Sequence, residues 1–280
     1  MSAPELVTVA EDEYHADPAL SRSGAKLILR SPKHFREAPR RVKRAFDFGH
    51  AAHKEILGEG AEVVEIPADI LASNGAASTK EARAFIADAR AAGKTPIKAE
   101  EMAVVRTMAK ALSDAPEVAG ILARDGVAEQ SVWWTDERTG VRCRARFDWL
   151  TSTRDGRPVI VDYKSCINAS PRAFARSVVD YGYDMQDAFY SDGLMAALGV
   201  DEPPLFVFVA QEKDAPYVAA AHQLSPDFKA RGVELAHRAR ETYAKCLATD
   251  TWPAYGAQIH TLDLPRWATD NLTQGDSYGH

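Results

Sequence analysis

The apolar run Pro158-Val159-Ile160-Val161 leads without a break into Asp162-Tyr163-Lys164. Such a run reads as a β-strand, and a lone carboxylate at its end is costly to bury unless a cation or hydrogen-bond partners meet it. Side-chain direction in a strand repeats every second residue, so Asp162 and Lys164 share one face. That pair suits phosphodiester chemistry. The carboxylate can hold a divalent cation against a phosphate, and the ammonium can orient an attacking hydroxide and offset charge in the transition state. A second acid-x-Lys, Asp227-Phe228-Lys229, follows Ser225-Pro226 at the head of a helical stretch. There Asp227 reads as a first-turn acid favoured by the helix dipole and Lys229 as a solvated side chain.

The segments around this strand predict a mixed architecture. Ser21-Arg22-Ser23 caps a short helix that Ser31-Pro32 stops, and a second helix spans Phe46 to Leu57. After a small-residue loop come two alanine-rich helices, about Thr79 to Ala92 and Ala99 to Ala115, with Gly93-Lys94-Thr95-Pro96 as the break between them. From Ala128 the pattern changes. Glu129 to Trp134 and Val141 to Phe147 flank Asp136-Glu137-Arg138-Thr139-Gly140 as a β-hairpin, in which Arg142, Arg144, Arg146 and Asp148 share a face, with Asp148 at the far end. Helices follow near Pro171 to Val179 and Asp184 to Leu198, then strands at Leu205 to Ala210 and Tyr217 to Ala221, then a long helix from about Asp227 to Leu247. This order favours an α/β fold with a mixed central sheet and helices on both faces. One domain over residues 1–280 is expected, mostly helical from about 14 to 125, with the sheet core from about 126 to 268.

With 46% hydrophobic and 26% charged residues the composition is that of an ordinary globular protein. No stretch approaches the roughly 20 apolar residues of a membrane span. Met1-Ser2-Ala3-Pro4-Glu5 lacks the order of a secretion signal, so a cytoplasmic location is expected. Cys143, Cys166 and Cys246 are too scattered for a disulfide framework or a thiolate metal site, which leaves oxygen and imidazole as ligands. The net charge of -6 argues against coating nucleic acid nonspecifically. Local clusters still offer phosphate contacts: Arg40, Arg41, Lys43 and Arg44 in one, Arg142, Arg144 and Arg146 in the other.

Two further motifs complete a constellation. Gly49-His50-Ala51-Ala52-His53 sets a small residue one helical turn before a histidine, and Gln186-Asp187-Ala188-Phe189-Tyr190 puts an amide and a phenol on one helix face. In the order GxxxH, Asp, DxK and QxxxY these resemble the RecB-like branch of the PD-(D/E)xK nuclease superfamily, and within it the RecE-type exonucleases. The likeness extends from Tyr14-His15-Ala16 through the run Gln186 to Gly193 to Trp252-Pro253 and Leu264-Pro265-Arg266-Trp267-Ala268.

The resemblance implies a restriction-endonuclease-like fold. It implies Asp148 and Asp162 as principal metal ligands, with the Tyr163 carbonyl contributing, His53 as a further ligand or phosphate contact, and Glu129 reaching a second cation. Lys164 would act on the nucleophile, and Gln186 with Tyr190 would position the strand or the water. The cofactor would be Mg²⁺, with Mn²⁺ substituting, and two ions are expected. The implied activity is 5′ to 3′ digestion of linear double-stranded DNA ends, leaving 3′ single-stranded tails for recombination. A ring-shaped homo-oligomer and a RecT-like single-strand annealing partner are implied as well. Phe147 stands where the superfamily's naming proline would be, which changes no ligand. The cysteines of the iron-sulfur relatives and the long N-terminal extension of the best-known bacterial member have no counterpart, so neither feature is expected. The rivals are a nuclease of other specificity, such as a single-strand exonuclease or structure-specific endonuclease, a noncatalytic DNA-binding protein, and a hydrolase of smaller phosphate esters.

Overall fold

The computed structural model describes residues 4–37, 44–256 and 258–264. In chain order its elements are β1 (Val7–Thr8), α1 (Glu11–Ala16), β2 (Leu20–Ser21), α2 (Arg22–Arg30), α3 (Pro32–Glu37), α4 (Arg44–Leu57), β3 (Val63–Ile66), α5 (Lys80–Ala91), β4 (Thr95–Lys98), α6 (Ala99–Ser113) and α7 (Pro116–Leu122). There follow β5 (Gly126–Thr135), β6 (Arg142–Ser152), β7 (Pro158–Cys166), α8 (Pro171–Tyr181), α9 (Tyr183–Leu198), β8 (Leu205–Glu212), β9 (Ala219–His222) and α10 (Pro226–Thr249).

The main sheet runs in the order β1-β5-β6-β7-β8-β9, with β2 added against β6, while β3 and β4 form a separate parallel pair. Within it β5-β6-β7 is an antiparallel meander, and β7 pairs parallel to β8 through the crossover of α8 and α9. The mixed sheet flanked by helices is the expected fold class. Strand β7 shows why it is central. Ile160 packs with Phe206, Phe208 and the buried residues of α8, α9 and α10, whereas Val159, Val161 and Tyr163 pack with Ala51 and Ala52 of α4 and with Met102, Val105 and Leu112 of α6. Alternate side chains thus fill a core on each face, the pattern of a strand covered on both sides.

Close helix packing depends on two glycines. A Cβ on Gly193 of α9 would meet the Trp134 ring of β5 at 2.8 Å, and one on Gly232 of α10 would collide with the backbone carbonyl oxygen of Asp184. Further along α10, Arg240 is 2% exposed and its guanidinium bridges Asp136 of the β5–β6 turn and Asp192 of α9. This three-residue ion cluster ties hairpin and helices together.

Several expectations change in the structure. Asp162 does not end its strand: Tyr163 to Cys166 continue it, because β8 pairs alongside through Asp162↔Phe208, Lys164↔Ala210 and onward to Cys166↔Glu212. Asp148 is not at the hairpin's end, since β6 continues to Ser152 against β7. Thr95 and Pro96 are not a loop but enter β4, where Pro96 sits in a two-stranded pair that tolerates a missing donor. Ser31-Pro32 ends α2 and at once begins α3, because proline at the first helical position removes only an N–H that is unpaired there anyway.

Candidate active site

The site lies where β6 and β7 part. Their last paired residues are Trp149 and Val161, so Asp148 and Asp162 are the next residue on each strand, just beyond the ladder. On the edge of β7 that β6 has left, the Tyr163 N–H donates to Asp148 Oδ2 at 3.0 Å. The alternation of β6 also resets here. Phe147 packs in the core under α9, and strict alternation would put Trp149 there too, yet Trp149 packs in the core under α4 and α6 while Leu150 packs in the former. Across from Asp148 in the β5–β6 register stands Glu129, whose φ of 53° is a left-handed value uncommon for a residue with a Cβ. Such outliers gather at functional sites, where the surrounding structure holds them.

His53 comes in from α4. Its neighbours Ala51 and Ala52 are fully buried against β7, which brings the helix close enough for the imidazole to reach the strand ends. The ring makes two contacts: Nε2 lies 2.9 Å from Asp148 Oδ2, and Nδ1 lies 3.3 Å from Glu129 Oε1. Burial opposes the imidazolium, but the Asp148 and Glu129 carboxylates outweigh it and raise its pKa to about 10. Asp148 moves the other way. Burial pushes its carboxyl up, and the charge and hydrogen bond of His53, with Lys164 and the Tyr163 N–H, hold it below its ordinary value.

Asp162, 1% exposed, is the more strained acid. Burial raises it to about 6, with Asp148 adding to the rise and Lys164 opposing it. Gln186 Nε2 of α9 donates to its Oδ1 at 2.5 Å, and the Lys164 ammonium pairs with Oδ2. Burial works against the Lys164 charge, yet Asp162 and Asp148 raise its pKa. The ammonium is therefore retained at neutral pH. Its outer side faces the Tyr183 ring, 5.1 Å from the centroid.

The structure brings His53, Glu129, Asp148, Asp162, Tyr163, Lys164 and Gln186 together. The Tyr163 phenol points away and donates to Gln211 Oε1 at 2.9 Å. Tyr190 packs edge-on against Phe147, 5.6 Å between centroids, and burial drives its phenol well above the ordinary range. The hairpin arginines are engaged inside the chain. Arg142 pairs with Asp17 at 3.3 Å, and Arg144 is buried against the Asp17 carbonyl and the Tyr14 ring. Arg146 contacts Glu129 at 3.5 Å and donates to the Val9 carbonyl at 2.7 Å. Arg40, Arg41 and Lys43 lie outside the described residues, as do the Arg44 side chain and Pro265 onward. Sequence reasoning missed Tyr183, whose signal was its place one turn before Gln186 on the same helix, and it missed the Glu129–His53–Asp148 chain of contacts.

Among the described residues no three His, Cys, Asp or Glu side chains stand ready to hold a metal ion. The donors nonetheless fit one. Two carboxylates meet beyond the β6–β7 ladder, and Asp162 Oδ2 is a buried oxygen whose partner is the Lys164 ammonium. A hard cation that keeps most of its waters and takes one or two carboxylates matches this set, which is the habit of Mg²⁺. His53 and Glu129 are occupied with each other, so either becomes a ligand only by giving up that ion pair.

The comparisons agree with this fold. A crystal structure from Eubacterium rectale, described as a "Putative exonuclease", superposes with a TM-score of 0.58 at 12% identity, covering 96% of this chain and 99% of that one, and it supports the fold. A structure of SSO0001, at TM-score 0.30 and 12% identity over 70% of this chain and 84% of that one, is too remote to add to it. No curated protein matches the sequence significantly. The sequence profile of the PDDEXK-like domain of unknown function (DUF3799) matches residues 21–265, from the cap of α2 past the end of α10, and the chain belongs to that family.

Proposed function

We propose that this protein is a divalent-metal-dependent exodeoxyribonuclease that digests linear double-stranded DNA from its 5′ ends and leaves 3′ single-stranded tails for recombination by strand annealing. One observation carries the nuclease reading: Asp162 is buried beside Lys164 and pinned by Gln186, with Asp148 next to it across the strand gap. A noncatalytic scaffold has no need to bury an acid at that cost.

Asp148 and Asp162 would hold the cation, Mg²⁺ or Mn²⁺, and a second ion would draw on Glu129. When bound, such ions supply positive charge against the phosphate and make water a better nucleophile at neutral pH. The chain's own residues do the rest. Gln186 fixes the rotamer of Asp162 from α9, and the Tyr163 N–H and His53 fix that of Asp148 from two other directions. Lys164 keeps its proton and offers it to the oxygen on which charge builds. Polarity, a ring-shaped oligomer and a RecT-like annealing partner rest on the resemblance to RecE-type enzymes. The neighbour from Eubacterium rectale, by its description, supports an exonuclease.

The test is linear duplex labelled separately at its 5′ and 3′ ends, with Mg²⁺ and with chelator, beside covalently closed circles. Mg²⁺-dependent release from 5′ ends, with the complementary strand near full length and the circles intact, is the expected result. Cutting of circles, or shortening from the 3′ end, would retain a nuclease and remove this specificity. No cleavage of any DNA would remove the nuclease. Light scattering should report a closed oligomer, and a monomer would sink the ring.

A further inference from the structure

Beyond Lys164 a row of aromatic and cationic side chains leads out of the site. The Tyr183 ring, under the Lys164 ammonium, stacks on Tyr181 with centroids 5.6 Å and planes 29° apart. Tyr181 closes α8 and Tyr183 opens α9, and Gly182 between them has φ 68°, a turn that glycine makes without strain. Tyr183 is the fixed inner member, stacked also on Phe174 at 5.8 Å. Tyr181 is the outer one, 55% exposed.

Helix α2 fastens this junction. Arg22 Nη2 donates to the carbonyls of Tyr181, at 2.5 Å, and Gly182, at 3.0 Å, and its guanidinium lies 5.7 Å from the centre of the Tyr183 ring. Lys26 Nζ donates to the Asp180 carbonyl at 2.9 Å and lies 5.6 Å from the centre of the Tyr181 ring. Two cations are thus held beside two stacked rings by bonds to backbone oxygens. Long side chains so fixed lose less freedom when an anion arrives.

We infer that Tyr181, with Lys26 beside it, is a stacking platform for an unpaired base of the DNA strand that enters at Lys164, so that the site accepts a strand only where its bases are out of the duplex. This rests on the nuclease reading of the site. An exposed aromatic ring takes any base, and neighbouring cations take the phosphates, the combination that single-strand grooves use. The row begins at the lysine assigned to the reacting phosphate, so a strand with one phosphate there can lay a base on Tyr181. A surface tyrosine paired by chance with a lysine would have no such continuity with the site.

The experiment measures binding of a fluorescein-labelled oligothymidylate strand by anisotropy, with chelator present to prevent cutting. Tyr181→Ala should weaken binding about tenfold, while Tyr181→Trp stays close to wild type. An abasic sugar-phosphate strand should bind wild type and Tyr181→Ala alike, because it has nothing to stack. Lys26→Gln should lower the log-log salt slope by about 0.7. Equal oligothymidylate affinity for wild type and Tyr181→Ala, in a preparation that cuts DNA with Mg²⁺, would overturn the platform and leave the nuclease. A wild-type protein that neither binds nor cuts DNA would remove the nuclease reading itself. Circular dichroism checks each variant, and Tyr181 is exposed enough for the fold to survive its loss.

Discussion

His53 on α4 and Asp148 on β6 form an ion pair at 2.9 Å, and the carboxylate oxygen that receives the imidazole also accepts the Tyr163 N–H at 3.0 Å. A helix and two strands are therefore joined through one oxygen atom. The proton on His53 stands where a cation would otherwise balance Asp148 and Glu129.

That pair gives the metal-free protein a pH dependence. The folded-state pKa of His53 is raised from 6.5 to about 10. Its contribution to stability is fully present below pH about 6.5 and is lost as pH rises through about 10, because over that span the folded state holds a proton the unfolded state has released. Urea titrations with chelator should show unfolding free energy falling across that window. His53→Gln should lack the fall, and parallel curves for the two proteins would refute the assignment.

Asp162→Asn should abolish Mg²⁺-dependent cleavage and leave the fold intact. Burial holds the Asp162 carboxyl at about 6, so its charge costs the folded protein stability at neutral pH, and the neutral amide removes that cost. The midpoint of thermal unfolding should be unchanged or higher, and calorimetry should show weaker Mg²⁺ binding. Retained cleavage would take Asp162 out of the site.

Lys164→Ala should act on the rate. Removing a charge partner of the transition state lowers kcat by roughly two to four orders of magnitude, while calorimetric Mg²⁺ binding persists because both acids remain. A change confined to KM would assign Lys164 to binding alone.

Arg240→Ala should destabilise by about 3–5 kcal/mol, since it strands Asp136 and Asp192 around a buried gap. Arg240→Met, which refills the volume but leaves the same acids, should cost nearly as much if charge dominates and much less if packing does. Urea denaturation distinguishes the two.

Gly232→Ala should cost about 1–3 kcal/mol, the range for forced overpacking. The added methyl meets a backbone oxygen of Asp184, and only a shift of α9 against α10 relieves it. Unfolding by urea should move to lower concentration, and an unchanged midpoint would mean that the helices yield freely.

The sequence by itself determined what is local and periodic. Apolar alternation marked the β5–β6 hairpin, caps and proline set the ends of α2 and the start of α10, and the two-residue spacing of Asp162 and Lys164 put both on the face that α9 covers. Gln186 was legible for the same reason, because one helix face carries it toward that strand. What depends on distant segments was not legible. Whether β7 stops at Asp162 depends on β8 arriving parallel beside it, and whether Thr95 and Pro96 are loop depends on β3, some thirty residues earlier. Arg142, Arg144 and Arg146 read as a basic face until Tyr14, Asp17 and the Val9 carbonyl fold over them. The resemblance implied His53 as a ligand or phosphate contact, and only the approach of α4 set it against Glu129 and Asp148. Charge and hydrogen-bond partners are chosen by tertiary proximity, which residue spacing does not encode, whereas strand and helix periods are properties of the backbone that every local window repeats.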